Sequence, residues 1–128
     1  MTDSAPRKGI VLFAHGSRDP LWHQPIEAVA QRIRLMHANL PVRCAYLELS
    51  TPDLSTVCQE LAALGLNQLV VLPLFLGVGR HAREDLPRQI AALRSLYPQI
   101  QIELQPAIGE NPQLVRLLAQ IACDALSL

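Results

Sequence analysis

The fold is constrained most by short strand-like segments that alternate with longer segments of helical periodicity. Residues 9–14 are apolar on both alternating faces, which is typical of a strand buried in a parallel sheet, and residues 68–75 are predicted as another buried strand, with Pro73 near its end. Segments 42–49 and 100–104 also resemble strands, the last one half-exposed. Strands that alternate with helices over short connections imply right-handed crossovers. The sequence therefore predicts a βαβαβαβα order in an α/β three-layer sandwich, with a small, mostly parallel four-stranded sheet and helices on both faces.

Amphipathic spacing predicts one helix after each strand. Asp19 can cap the first helix, and Ser50 or Thr51 starts the second, just before Pro52. Pro87 must lie in the first turn or two of the third helix, because a proline further inside would break it. The expected extents are residues 20–39, 52–64, 82–97 and 114–121. The apolar face of the first helix is predicted at Ile26, Val29, Ala30, Ile33 and Met36.

Length and charge limit the possible partners. A chain of 128 residues suffices for one compact domain over residues 1–128, but not for two domains of ordinary size. Eleven basic residues balance eleven acidic ones, so no overall field favours nucleic acid or an anionic membrane. The N-terminus is polar, and the apolar run after it is short and lacks a cleavage pattern, which predicts neither a signal peptide nor a membrane anchor. We expect a cytoplasmic protein.

The three cysteines also favour a cytoplasmic protein. Cys44, Cys58 and Cys123 are odd in number, widely spaced and set among apolar neighbours. This pattern favours reduced thiols packed in a core over a disulfide or zinc framework.

Three residues capable of chemistry are predicted at one edge of the sheet. His15 follows the first strand, Glu48 falls in the last residues of the second, and His81 lies in the loop after the third. Ligands of open parallel sheets gather beyond the carboxyl ends of the strands. Two imidazoles and a carboxylate suit a divalent ion such as Co²⁺, Ni²⁺, Fe²⁺ or Zn²⁺. The alternatives are a strand-capping His15, a polar loop residue at His81 and a solvated carboxylate at Glu48.

The loop "LGVGRHARED" has glycines that allow close approach of a ligand, but it lacks the Gly-Lys-Ser/Thr ending of a nucleotide-binding loop. Arg18, Arg80 and Arg83 flank the two histidines and could pair with ligand carboxylates. They could equally be solvated loop arginines.

Three motifs, "AHGSRDP" at 14–20, "LELSTPDL" at 47–54 and "LPLFLGVGRHAREDLP" at 72–87, resemble those of the CbiX/SirB family of sirohydrochlorin chelatases. The resemblance implies a chelatase-like fold and a class II chelatase. Such an enzyme inserts Co²⁺ or Fe²⁺, and in some members Ni²⁺, into the tetrapyrrole sirohydrochlorin during cobalamin or sirohaem biosynthesis. It needs no ATP and no organic cofactor. The chain is similar to the short, single-domain form, which is half of a full chelatase and forms a homodimer.

The resemblance also implies roles for residues. The metal-site histidines of the family fall on His15 and His81, and the acidic residue on Glu48, as a further ligand or proton acceptor. The residues expected to bind the substrate are Ser17, Arg18, Leu76, Gly77, Val78, Gly79, Arg80 and Arg83. The histidine-rich segment of many members is absent.

Two other functions share features of this sequence. A histidine and glycine after a strand also occur in phosphohistidine phosphatases and mutases, but those have an arginine before the histidine, where this chain has Ala14. A carrier of tetrapyrrole or metal, built on the same crevice without turnover, is the alternative to an enzyme.

Overall fold

Four strands form one parallel sheet. The computed structural model describes residues 7–128. Its strands are β1 (Lys8–Ala14), β2 (Val42–Tyr46), β3 (Gln68–Pro73) and β4 (Gln101–Leu104). All pairs are parallel, in the order β2-β1-β3-β4. The chain moves from β1 to one side and later returns to pair on the other, so the strand order reverses between β1 and β3.

Four α-helices accompany the sheet: α1 (Gln24–Met36), α2 (Leu54–Ala63), α3 (Arg80–Leu96) and α4 (Pro112–Asp124). Short 3₁₀ turns precede α1 at Pro20–His23 and α4 at Ile108–Glu110. The predicted element order is confirmed. No helix within residues 7–128 is both long and apolar enough to cross a membrane.

Helices lie on both faces, as predicted. On one face α1 packs through Ile26 and Ala30 against Leu12 and its neighbours in β1 and β2. On the other face α2 and α3 cover a larger core built around Phe13 and Val71. The alternating side chains of each strand supply the two cores, since successive residues point to opposite faces.

The second strand is shorter than predicted. It ends at Tyr46, so Glu48 lies in a loop beyond it and not in the strand. Leu49 has a φ of 62°, which breaks the extended backbone, and the Tyr46 amide donates to the Pro52 carbonyl at 2.9 Å. These interactions fold residues 47–52 back onto the strand end. The third strand likewise stops at Pro73, before the predicted end at Phe75.

Boundaries differ from the prediction in all four helices: α1 begins at Gln24 instead of residue 20, and α4 spans Pro112–Asp124 instead of residues 114–121. The cap of α2 is Asp53, whose carboxylate accepts from the Thr56 amide at 2.8 Å, because residues 50–52 belong to the loop just described. The third helix begins at Arg80, two residues early, with Pro87 in its second turn. The first helix ends at Met36 instead of near Asn39, and Val29 and Met36 of its predicted apolar face are exposed.

The cysteine prediction holds for two of three residues. Cys44 and Cys58 are buried free thiols, and desolvation is the main cause that raises their pKa values, to about 12 and about 11. Cys123 is exposed, so its assignment to the core is wrong. It lies on α4, where none of the residues is buried.

Candidate functional site

The site begins with a contact between the loops that follow β1 and β2. Nδ1 of His15 lies 3.3 Å from Oε1 of Glu48, and both side chains are nearly half exposed, at 46% and 42%. A carboxylate only accepts hydrogen bonds, so Nδ1 of His15 carries the proton in this contact. Nε2 of a neutral His15 is then the acceptor nitrogen, available to a proton or a metal ion.

A glycine allows these two loops to meet. A Cβ placed on Gly16 would lie 1.7 Å from the Glu48 carbonyl oxygen and 2.8 Å from Ser50 Oγ. Only a residue without a side chain fits against this backbone. The glycine after His15 therefore sets the distance between the two loops.

Ser50 ties the same loops together. Its hydroxyl accepts from the Ser17 amide at 2.9 Å and donates to the Ser17 carbonyl at 2.8 Å. The single hydroxyl proton is thus used, so the 2.9 Å contact with His23 Nε2 requires His23 to donate. The Ser50 hydroxyl is saturated, and His23 is fixed as the Nε2–H tautomer, with its ring stacked on Tyr46 at 4.5 Å.

Two aromatic side chains position His15. The Trp22 indole nitrogen donates to the His15 carbonyl at 2.8 Å. The Phe75 ring lies beside the imidazole, with centroids 4.5 Å apart and an interplanar angle of 39°. Because Phe75 follows β3, the histidine sits at the point where the strand order reverses. The sequence predicts neither contact: Phe75 lies far from His15 along the chain, and the bond from Trp22, seven residues away, depends on the turn at Pro20–His23.

His81 lies in the first turn of α3 and is exposed. It shares the carboxyl edge of the sheet with His15, because α3 starts just beyond β3. Within residues 7–128, no group of three or more histidine, cysteine, aspartate or glutamate side chains is close enough to hold a metal ion. Of the three predicted chemical residues, the structure brings His15 and Glu48 into contact.

A cavity of about 560 Å³ lies at the same edge of the sheet, and His15, Glu48 and His81 are not among the residues that line it. Phe75 forms part of its wall and so joins it to His15. Predicted substrate residues that line it are Leu76, Gly77, Val78 and Arg83. Apolar walls with a few polar groups are the usual composition of a small-molecule site.

Gly109 is a residue that sequence reasoning missed. Its amide donates to the Phe75 carbonyl at 2.9 Å, and a Cβ there would lie 1.8 Å from the Leu76 carbonyl oxygen. This contact holds the β4–α4 segment against the cavity wall. An isolated glycine in the loop "PAIGENP" was the available signal.

The other predicted substrate residues lie outside this cavity, in the loop after β1 and at the start of α3. Arg18 and Ser17 line a second cleft, of about 620 Å³, with His23 and Ser50. Nε of Arg80 pairs with Glu84 on the helix surface at 3.4 Å. The Ser17 amide is already bonded to Ser50, whereas Gly79 caps α3 without a side-chain hydrogen bond.

Comparison with known proteins gives three findings. A sequence model of the CbiX family matches residues 9–125. The chain is 34% identical over 86 residues to the sirohydrochlorin cobaltochelatase of Methanothermobacter thermautotrophicus, covering 67% of this chain and 59% of that protein. It is 29% identical over 111 residues to the sirohydrochlorin ferrochelatase of Bacillus subtilis, covering 86% and 42%. The chain thus spans about half the length of these relatives.

A crystal structure of a CbiX protein from Marinobacter aquaeolei VT8 superimposes with a TM-score of 0.80 at 34% identity. The similarity covers 93% of this chain and 97% of that one, so the fold is shared nearly end to end. The family match extends over both loops of the histidine–carboxylate pair and the whole cavity wall. The chain belongs to the CbiX family.

Proposed function

We propose that this protein inserts a divalent metal ion into sirohydrochlorin. The observation that carries the proposal is the His15–Glu48 pair where the strand order reverses, together with Phe75, which contacts the His15 ring and lines an apolar cavity of about 560 Å³. Ligands of open α/β folds bind at such a reversal. The names of the two enzyme relatives supply the substrate class.

His15 presents Nε2 to the incoming metal in this mechanism. Glu48 accepts a hydrogen bond from Nδ1–H, which fixes the orientation and the tautomer of the ring and leaves the Nε2 lone pair for the metal. The role of Glu48 is therefore to position His15, with direct metal contact as the alternative. His81 reaches the same ion from the first turn of α3, where the partial positive charge of the helix end weakens cation binding. A weakly held ion suits a metal that must leave.

The cavity would hold the macrocycle. Leu76 and Val78 offer an apolar surface, and Arg83 a cation for a substrate carboxylate. The first amides of α3, after Gly79, are further donors to a carboxylate. Arg18 lines the neighbouring cleft, where it would bind a carboxylate at the edge of the substrate. These contacts orient the ring with its pyrrole nitrogens toward His15.

Metal insertion releases two pyrrole protons. The ion passes from imidazole nitrogen to the ring nitrogens, and each pyrrole N–H gives its proton to a base. Imidazole titrates near neutrality, so histidine suits both metal transfer and proton acceptance. Co²⁺ and Fe²⁺ are the metals named for the relatives, and Ni²⁺ is bound by the same donors. The reaction as proposed uses neither ATP nor an organic cofactor.

A homodimer in the cytoplasm completes the proposal. The chain spans 42% of the Bacillus subtilis relative, and the short form of the family that its motifs resemble is a homodimer. Buried free thiols at Cys44 and Cys58 suit a reducing compartment.

The test follows sirohydrochlorin absorbance after addition of Co²⁺ or Fe²⁺, with and without protein. We expect His15→Ala and His81→Ala each to slow insertion at least about 100-fold. Glu48→Gln should slow it less, since the amide still contacts Nδ1. His37→Ala is the matched control, because this histidine lies at the far end of α1, and its rate should equal that of the parent.

The alternative is a carrier that binds tetrapyrrole or metal without turnover. Equal insertion rates with and without the parent protein, together with saturable binding of sirohydrochlorin, would establish the carrier and reject the enzyme. A folded double variant of His15 and His81 with full activity would reject the assigned residues.

A further inference from the structure

His23 is a histidine to which the reaction proposed above gives no role. It ends the 3₁₀ turn Pro20–His23, and its side chain is half-buried. Its ring stacks on Tyr46, with centroids 4.5 Å apart and an interplanar angle of 29°, and Tyr46 is only 3% exposed at the end of β2. Nε2 donates to Ser50 Oγ at 2.9 Å. The imidazole therefore has a fixed ring plane and one committed N–H.

The turn that carries His23 is anchored to the loop that carries His15. The Trp22 indole donates to the His15 carbonyl at 2.8 Å, and Asp19 caps the turn. Neighbouring residues of one turn thus contact both loops of the site, Trp22 the loop after β1 and His23 the loop after β2. The bond from His23 to Ser50 therefore sets the position of the loop after β2 relative to His15.

Glu48 is joined to Ser50 by a strained turn. The Ser50 amide donates to the Glu48 carbonyl at 2.8 Å, and Leu49 between them has a φ of 62°. A hydrogen bond between residues i and i+2 across a positive φ is the rare, strained form of the γ-turn. The Leu49 side chain is 61% exposed, so its own packing does not stabilise this conformation. Interactions on either side of Leu49 must therefore hold the turn.

Hydrogen bonds fix the chain on both sides of Glu48. Before it, the Leu47 amide donates to the last carbonyl of β1 at 2.9 Å. After it, the Ser50 hydroxyl is bonded to the Ser17 backbone, but those two bonds only join one loop to another. The bond from His23 joins Ser50 to a ring that is packed on the core. A serine hydroxyl has three staggered rotamers, and this third partner keeps it in the one that reaches Ser17.

We propose that His23 is a positioning residue for metal insertion. It acts through Ser50 and the strained turn, and as a result the Glu48 carboxylate stays in contact with Nδ1 of His15. Nε2 of His15 then carries no proton and is open to the metal. Because His23 does not line the cavity of about 560 Å³, its effect falls on the tautomer of His15 and not on binding of the macrocycle. The inference rests on the proposed function for its catalytic consequence, whereas the contact itself exists without substrate.

Two replacements of His23 test its N–H. His23→Phe keeps a ring to stack on Tyr46 but has no donor, whereas His23→Gln places an amide N–H near the position of Nε2. Partners of a metal-binding histidine typically contribute 10–100-fold, so the Phe variant should insert Co²⁺ about 10-fold more slowly, with an unchanged KM for sirohydrochlorin. The Gln variant should recover most of this rate. Leu21→Ala is the matched control, because its side chain is 64% exposed in the same turn, and its rate should equal that of the parent. A Phe variant at the parent rate, or a Gln variant as slow as the Phe variant, overturns the proposal.

A double-variant comparison asks whether His23 acts through Glu48. In a Glu48→Ala background the contact with His15 is already lost, so His23→Phe should cause no further loss of rate. Two losses that multiply would mean that His23 supports the fold in general, and would overturn the proposal. If His23→Phe does not fold, His23→Ala takes its place in each comparison.

The tautomer of His15 provides a readout that needs neither metal nor substrate. At about pH 8 the imidazoles are neutral and their ¹⁵N chemical shifts report which nitrogen carries the proton. The His15 signals are those missing from His15→Ala. The parent should carry the proton on Nδ1, and His23→Phe should shift it towards Nε2; an unchanged tautomer overturns the proposal even if the rate falls. The expected shift in a protein that inserts no metal would count against the chelatase reaction alone.

Discussion

A methyl group added at Gly16 tests the geometry of the site most directly. The new Cβ would lie 1.7 Å from the Glu48 carbonyl oxygen, and real Cβ atoms essentially never approach a heavy atom closer than 3.0 Å. The two loops must therefore separate by about 1.3 Å. That movement breaks both hydrogen bonds between Ser50 and the Ser17 backbone, now 2.9 and 2.8 Å long. The contact of His15 with Glu48, already 3.3 Å, is lost with them.

The expected cost combines overpacking, about 1–3 kcal/mol, with two hydrogen bonds of about 1 kcal/mol each. Gly16→Ala should therefore lower the free energy of unfolding by about 3–5 kcal/mol, or the melting temperature by roughly 10–20 °C. Urea denaturation followed by circular dichroism measures the change. Gly79→Ala is the stability control, since a Cβ there meets nothing within 4 Å and its φ is −65°. A Gly16→Ala protein as stable as the parent would refute the reasoning.

Three further predictions concern stability and thiol reactivity. Ser50→Ala should lower the free energy of unfolding by about 2 kcal/mol, because three polar groups lose their partner, and an unchanged urea midpoint would contradict this. In the native protein a thiol reagent at pH 8 should modify Cys123 alone; Cys44 and Cys58 are buried with raised pKa values, so rapid labelling of a second thiol before denaturant is added would count against their burial. Asp53→Ala should lower the free energy of unfolding by about 1 kcal/mol at pH 7. The α2 cap holds the pKa of the Asp53 carboxyl below its ordinary value, so its stabilisation is present above about pH 4 and lost as the pH falls through the lowered pKa. Urea midpoints of parent and variant should converge at low pH, and a constant difference would contradict the capping role.

Local sequence patterns were enough to predict which segments form strands and which form helices. The apolar run of β1 and the helical spacing of α2 depend on neighbours a few positions away, so the sequence alone identifies them. The position of His15 at a strand end followed from the same pattern. The predicted boundaries were wrong where contacts between residues far apart in the chain determine where an element ends. The loop around Glu48 forms because Leu49 adopts a left-handed backbone conformation and the Pro52 carbonyl accepts from the Tyr46 amide. Hydrophobic periodicity predicts neither feature.

The site divides in the same way. Histidine, glutamate and glycine at strand ends could be assigned to one edge of the sheet, because parallel strands place their carboxyl ends together. The partners of His15 could not, since Phe75 reaches it from a distant strand end and Trp22 reaches its carbonyl only through the turn that precedes α1. The tautomers of His15 and His23 also follow only from atoms brought together by folding.

The sequence by itself determined an alternating α/β chain, a parallel sheet and a histidine at the end of its first strand. These depend on short-range periodicity and on the chirality of the backbone, which act wherever the chain lies. Tertiary structure alone decided that Gly16 lets two loops touch, that Ser50 makes three hydrogen bonds between them, and that no residue of the amphipathic α4 is buried within residues 7–128. A periodic pattern marks a surface as apolar, but what covers that surface is settled by packing between residues far apart in the chain or in another copy.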